Sequence, residues 1–298
     1  MSERDLEIIN EGISSLDKRK STELEKRLSY IDSLAHVLAD EAGEEEIFFR
    51  DKAFKKKYFS LTANREQECA PFNKEHVIGY SNLTSLYDKG ILCTRLCDIL
   101  GIEGMMSVST FFDESEEGDG SICYVKSPYA DTAYLSFAKR RNDSRALYCE
   151  DFTQVCEDVY YGRSTYCILP ISNSKDGRLA GFRNLATKYQ LITVQTVKVI
   201  SSDTETTFAL MKRDLEIPKT AQNTLFEFRI PNFQNVNEIL TVACACSMSV
   251  CSVDLQGGSK NLDITLKVNE TGICGFLSYL SLEFPDYIPL GIYEEIKA

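Results

Sequence analysis

No tryptophan occurs in the 298 residues, and that absence excludes nothing. Other absences say more. No run of about eighteen apolar residues interrupts the chain, so no membrane-spanning helix is expected. There is no basic excess either. A net charge of −12 argues against a nucleic-acid partner, whose phosphates are bound by Lys and Arg displacing counterions. The opening Met1-Ser2-Glu3-Arg4-Asp5-Leu6-Glu7 has no apolar signal-peptide core, and a cytoplasmic protein is expected. Only two histidines occur, His36 and His76. Neither lies near Cys244, Cys246 and Cys251 in sequence, so that trio lacks a fourth metal ligand. Three buried thiols on a helix end are the ordinary reading, and neither a metal nor another cofactor is expected. The eleven cysteines are odd in number and scattered through apolar runs, which suits reduced thiols of a cytosol.

What the chain does contain is 43% hydrophobic and 26% charged, ordinary for a globular protein, and long enough for two or three small domains. Residues 4–41 carry an apolar stripe at three- and four-residue spacing (Leu6, Ile9, Ile13, Leu16, then Leu24, Leu28, Ile31, Leu34, Leu38), which predicts a helix with Gly12 as its weak link. A helical hairpin or dimerisation arm would give the same stripe. A further helix is expected at about 74–99. Residues 111–121 turn acidic and glycine-containing, as a linker does. An α/β unit follows: a strand at Ile122–Val125, a turn over Lys126–Thr132, a helix from Ala133 to Arg141, and another helix over 151–159. Cys167, Ile168, Leu169 and Ile171 read as a short buried strand, stopped by Pro170 and a polar turn. Ser172, Asn173 and Ser174 then sit at a strand end, where α/β folds collect ligands. Strands are expected at 191–200 and 203–211. The remaining elements, strand 225–230, helix 236–246, strands 250–255 and 262–268, helix 275–282 and strand 287–293, have the βαββαβ order of ferredoxin-like units.

Several of these stretches resemble known motifs. Pro170-Ile171-Ser172-Asn173-Ser174 resembles the Pro-Ile-Glu-Asn-Ser turn of prephenate dehydratases, with Ser172 in place of Glu. Residues 151–159 resemble that family's Ser-Phe-x-x-Val-Phe-x-x-Val helix, and Thr206 and Phe208 its Thr-Arg-Phe strand, with Thr207 in place of Arg. Asn10–Asp17 with Glu25–Leu28 resembles the first helix of the all-helical chorismate mutases often fused ahead of the dehydratase. The resemblance assigns Arg27 and the Phe49-Arg50-Asp51 pair to the mutase clamp. It puts Asn10, Leu38 and Cys93 where Arg, Lys and Gln are expected. Arg229-Ile230-Pro231-Asn232 is similar to the first-strand ending of ACT domains, which in this family bind phenylalanine between two chains. The effector motifs would fall at Asn232, Asn235, Val236 and Leu255, all in altered surroundings.

The resemblance implies a multi-domain α+β chain. A helical chorismate-mutase-like region would span 1–108, an acidic linker 109–120, a single dehydratase-like lobe 121–214, and an ACT-like unit 215–298. Val199-Ile200 runs almost at once into the Thr206 strand, where the family inserts a second lobe. Of the Gly-Pro-x-Gly-Thr-(Phe/Tyr)-Ser turn only Pro128 remains, and Asp131 adds an anion where a dianionic substrate would lie. Losing two cations from the mutase site would cost several kcal/mol, at about 1.5–3 kcal/mol per charged hydrogen bond. Two function classes therefore stay open. One is a ligand-binding or regulatory homodimer, paired through its helical and ACT-like regions and holding an aromatic compound such as phenylalanine, chorismate or prephenate. The other is an enzyme: a residual mutase using Arg27, Arg50 and Asp51, or, less so, a dehydratase using Asn173, Ser174 and Thr206.

Overall fold

The computed structural model describes residues 3–42, 85–99, 120–141, 144–201, 204–214, 216, 218, 223–231, 236–255, 261–269, 272–284 and 286–297. Among the described residues two helices come first, α1 (Glu3–Ala42) and α2 (Leu86–Ile99). The α/β unit then runs β1 (Ile122–Val125), α3 (Pro128–Ala138), β2 (Ala146–Cys149), α4 (Phe152–Tyr160), β3 (Tyr166–Asn173), β4 (Gly177–Arg178), α5 (Ala180–Lys188), β5 (Ile192–Ser201) and β6 (Thr204–Lys212). The last unit is β7 (Thr224–Ile230), α6 (Val236–Ala245), β8 (Ser249–Leu255), β9 (Leu262–Lys267), α7 (Ile273–Glu283) and β10 (Ile288–Lys297). Among the described residues no helix is long and apolar enough to cross a membrane. The segments expected at 43–84, at 100–108 and as the acidic linker up to Asp119 lie outside the described residues.

All of the described strands join one sheet, in the order β2-β1-β3-β6-β5-β10-β7-β9-β8, with β4 paired to β3. The first five strands hold the parallel β1, β2, β3 and β5 with antiparallel β6 inserted between β3 and β5. Ser201 pairs with Thr204, so only two residues of sequence separate β5 from β6. The last four strands, order β10-β7-β9-β8 and all antiparallel, are joined through α6 and α7 as a βαββαβ unit. Parallel pairing of β5 with β10 makes the two halves continuous.

Local chemistry explains several departures from the expected elements. The turn expected over Lys126–Thr132 is the start of α3. Ser127 is its N-cap, in extended backbone with its hydroxyl accepting from the Ala130 N–H, and Pro128 follows where its missing N–H costs nothing. Pro170 does not stop its strand: β3 runs on to Asn173, and a register shift between Pro170 and Ser172 takes up the lost donor. The short edge strand β2 and helix α5 are not among the expected elements, although Phe182, Leu185, Ala186 and Tyr189 recur at helical spacing.

The core also crosses the expected units. Phe226, Phe228, Ile230, Leu262, Ile264 and Leu266 face α6 and α7, and the same cluster takes in Leu92, Cys93, Leu96 and Cys97 of α2 and Ile31 and Ala35 of α1. Gly272–Leu280 is buried without a break, because α2 covers the outer side of α7. The approach is close. A Cβ at Gly275 would stand 2.7 Å from the Thr94 backbone nitrogen, and one at Gly90 2.7 Å from the Ala245 Cβ. Cys97 with Ser278 (3.4 Å) and Lys89 with Glu283 (3.0 Å) add polar links between α2 and α7.

Candidate functional site

The parallel strands β1 and β3 end at one edge of the sheet, and three of the expected site residues meet there. Asn173 and Thr206 are paired across β3 and β6. The Ser174 N–H donates to the Glu205 carbonyl at 2.8 Å, and the Glu205 N–H donates back to Ser174 Oγ at 3.1 Å. The polar groups are occupied by the turn itself. Asn173 Oδ1 accepts from the N–H groups of Lys175 (2.9 Å) and Asp176 (2.6 Å), and its Nδ2 donates to Asp176 Oδ2 (2.9 Å). This is the self-bonding that makes Asn a turn residue. Gly177, at φ +69°, then admits the left-handed backbone that leads into β4.

Next along the same edge lies the N-terminus of α3. Its first turn carries Asp131, the placement its helix dipole favours. Asp131 Oδ1 accepts from the Tyr124 hydroxyl at 2.9 Å. Burial and then that hydrogen bond push the Tyr124 phenol up, keeping it a proton donor. Tyr134 stacks on Tyr124 at 5.4 Å between ring centroids, Tyr148 meets it edge-on at 5.3 Å, and Lys126 Nζ lies 4.8 Å from the Tyr148 ring centre. The strand edge is thus filled from within by a carboxylate and a phenol. Sequence reasoning found Asp131 but not the tyrosines. The signal was there, since Tyr124 is a polar-tipped residue in an otherwise apolar strand.

Arg27, expected to grip a substrate carboxylate, instead joins the two first helices. Its Nε donates to Asp88 Oδ2 at 2.8 Å and its Nη2 bonds the same oxygen, with the Asp88 side chain 7% exposed. Cys93 is enclosed in the apolar core, where burial pushes its thiol well up. Arg50 and Asp51 lie outside the described residues, as do Asn232 and Asn235. Val236 opens α6 and packs against the core, while Leu255 ends β8 exposed. Ile230, Leu262 and Leu255 stand side by side across β7, β9 and β8. The three C-terminal cysteines expected to be buried are not alike: Cys246, in the turn after α6, is buried, but Cys244, near the end of α6, and Cys251, on edge strand β8, are exposed.

A charged cluster that sequence reasoning missed joins the two halves of the sheet. On β7, Glu227 and Arg229 alternate with Phe226, Phe228 and Ile230, so they face away from α6 and α7. Glu227 is fully buried. Its Oε1 accepts from Arg178 of β4 (3.0 Å) and from Arg183 of α5, and its Oε2 from the Tyr293 hydroxyl (3.0 Å). Arg229 grips Asp263 with two bonds, 2.7 and 3.0 Å. Arg178 also donates to Ser252 (2.7 Å) and Thr265 (3.0 Å), and pairs with Asp254 (2.6 Å). Three guanidiniums face three carboxylates. Burial pulls Arg183 down, but Glu227, Tyr293 and Asp263 outweigh it and hold its pKa above the ordinary value. Arg183 Nε has no hydrogen-bond partner among the described residues. The alternation of opposite charges on β7 was visible in sequence; that β4 and α5 would supply the other cations was not.

No protein-family model matches the chain, and no curated protein matches it in sequence. Among solved structures it is similar to a prephenate dehydratase from Streptococcus mutans, at 14% identity and a TM-score of 0.49 over 59% of this chain and 98% of that one. It is also similar to GqqA, described as a novel type of quorum quenching acylase, at 18% identity and a TM-score of 0.47 over 59% and 96%. A prephenate dehydratase from Arthrobacter aurescens in complex with L-Phe matches at 11% identity and a TM-score of 0.47 over 58% and 90%.

Proposed function

We propose that this protein is a non-catalytic relative of prephenate dehydratase that binds a small aromatic amino acid or a related carboxylate and acts as a regulatory homodimer. The observation that carries the reading is the direct passage from β5 to β6. With two residues between Ser201 and Thr204, no second lobe can be inserted there to close over a substrate. Dehydration with loss of CO₂ needs an enclosed site that excludes water and holds an acid at the leaving hydroxyl. Here Asn173 and Ser174 are bonded into their own turn, and Asp131 stands where a substrate carboxylate would be repelled. The pairing of Arg27 with Asp88 takes one cation away from any mutase clamp.

The ligand site in this reading is in the ACT-like part of the chain, toward the end of β8 at Leu255 and the start of α6 at Val236. A second copy is the expected partner. Exposed Val250, Val253 and Leu255 on edge strand β8, and exposed Leu16, Leu24 and Leu28 on α1, give two apolar surfaces for it.

The test is thermal unfolding of the full chain with and without phenylalanine, with prephenate and chorismate consumption followed in parallel. At a hundredfold excess over the dissociation constant a bound ligand adds about 2.7 kcal/mol, which moves the midpoint by several degrees. The expected result is a saturable shift with phenylalanine and no consumption above the uncatalysed rates. Turnover of prephenate, or no shift with phenylalanine, tyrosine or phenylpyruvate, would overturn the reading.

A further inference from the structure

One buried group of side chains has no part in that reading. It lies beneath α4, on the face of β2, β1 and β3. Cys123 of β1 and Cys167 of β3 are neighbours in register. Cys149 ends β2 opposite Val125, two residues along from the partner of Cys123, so its side chain emerges on the same face as Cys123. Cys156 of α4 packs in the same core cluster. Four thiols in one core layer could be plain apolar packing, since cysteine behaves as a small hydrophobe. Asp158 is what packing leaves unexplained. It turns a carboxylate oxygen toward this layer, 3.4 Å from Cys149 Sγ.

The donor atoms of Cys123, Cys149 and Asp158 all lie within 4.8 Å of one another. Tetrahedral zinc, with bonds of about 2.3 Å to sulfur and 2.0–2.2 Å to oxygen, sets its ligands about 3.6–3.8 Å apart. The Cys149–Asp158 separation, 3.4 Å, is within a few tenths of an ångström of that spacing, and a side-chain adjustment of about an ångström brings in Cys123. Arg163 Nε donates to the other Asp158 oxygen at 2.7 Å. That bond fixes the carboxylate, as outer-shell hydrogen bonds orient metal ligands.

We propose that Cys123, Cys149 and Asp158 bind one thiophilic divalent cation of the zinc class. Each thiol loses its proton to solvent as its sulfur–metal bond forms. The ion ties the four-residue edge strand β2 and helix α4 to β1. Small units commonly use such a staple in place of core they do not have. Thiolate and carboxylate donors in a tetrahedral set select zinc over calcium or magnesium, which take oxygen ligands in larger shells.

The experiment uses reduced, chelator-stripped full-length protein titrated with Co²⁺. One equivalent should produce thiolate-to-cobalt charge-transfer absorption, be displaced by Zn²⁺, and raise the unfolding midpoint. Cys149→Ser should weaken binding at least tenfold, while Cys244→Ser/Cys251→Ser should leave it unchanged. Where Cys149→Ser does not fold by circular dichroism, Asp158→Asn, which keeps shape and volume, carries the same expectation. Absence of charge-transfer absorption at saturating Co²⁺ would overturn the proposal. So would a band that survives Cys149→Ser or Asp158→Asn but is lost in the Cys244/Cys251 variant. A Cys123–Cys149 disulfide in protein purified without reductant, with no metal uptake after reduction, would overturn it equally.

Discussion

Glu227 shows how much one residue can hold. It is fully buried, accepts from two arginines and a tyrosine, and bonds β7 to β4, α5 and β10 at once. Removing one partner of a buried ionic group leaves the others charged and without water, at a cost of about 3–5 kcal/mol. Glu227→Ala is therefore expected to lower the urea-unfolding free energy by that amount. Lys198→Ala, which breaks a half-exposed pair with Glu295, should cost less than about 1 kcal/mol. Equal effects of the two substitutions would show that the Glu227 cluster is not a structural unit. At this scale the sequence was only partly legible. Glu227 and Arg229 alternate with phenylalanines and so mark a polar strand face, but nothing in the spacing of Arg178 and Arg183 tells that they cover it.

Among the elements, α2 and α7 have the most to lose from small changes. Their backbones come together at Gly275, where an added Cβ would sit 2.5 Å from Thr94 Oγ1 and 2.7 Å from the Thr94 Cα. Backbone cannot give way as a side-chain tip can, so Gly275→Ala should push the helices apart and cost about 1–3 kcal/mol. Gly181, in α5, offers the contrast, because nothing lies within 4 Å of a Cβ built there. Gly181→Ala should stabilise, by up to about 1 kcal/mol, through lower backbone entropy in the unfolded chain. Urea denaturation of both variants checks the pair of signs. Strands β1, β5, β6 and β7 were legible to within about a residue, since their apolar runs and turn residues agree. The start of α3 differs from the expected turn because Ser127-Pro128 reads equally as a turn or as a capped first turn, and packing of Ala130, Ala133 and Phe137 against the sheet decides for the helix.

For the whole molecule, the consequence is that its two ends fold together. The core beneath β7–β10 includes Ile31 and Ala35 of α1 and four residues of α2 as well as α6 and α7. A fragment of residues 120–298 keeps every strand but uncovers the outer side of α7, where Cys274, Leu277 and Ser278 are otherwise buried. We expect that fragment to aggregate or to unfold well below the full chain in a thermal melt. A monodisperse fragment with an unchanged midpoint would mean that α2 contributes nothing to the C-terminal core.

The sequence by itself determined the kinds and order of the elements in the C-terminal unit, the long first helix, and the short link between β5 and β6. Those follow from periodicity, turn chemistry and chain length, all of which are local. Only the tertiary structure decided that β5 pairs with β10 to make one sheet, that α2 belongs against α7, and that Arg178 and Arg183 meet Glu227. Each of these joins residues tens to hundreds of positions apart. They depend on which buried surfaces fit and which buried charges find partners, a property of the packed chain rather than of any segment in it.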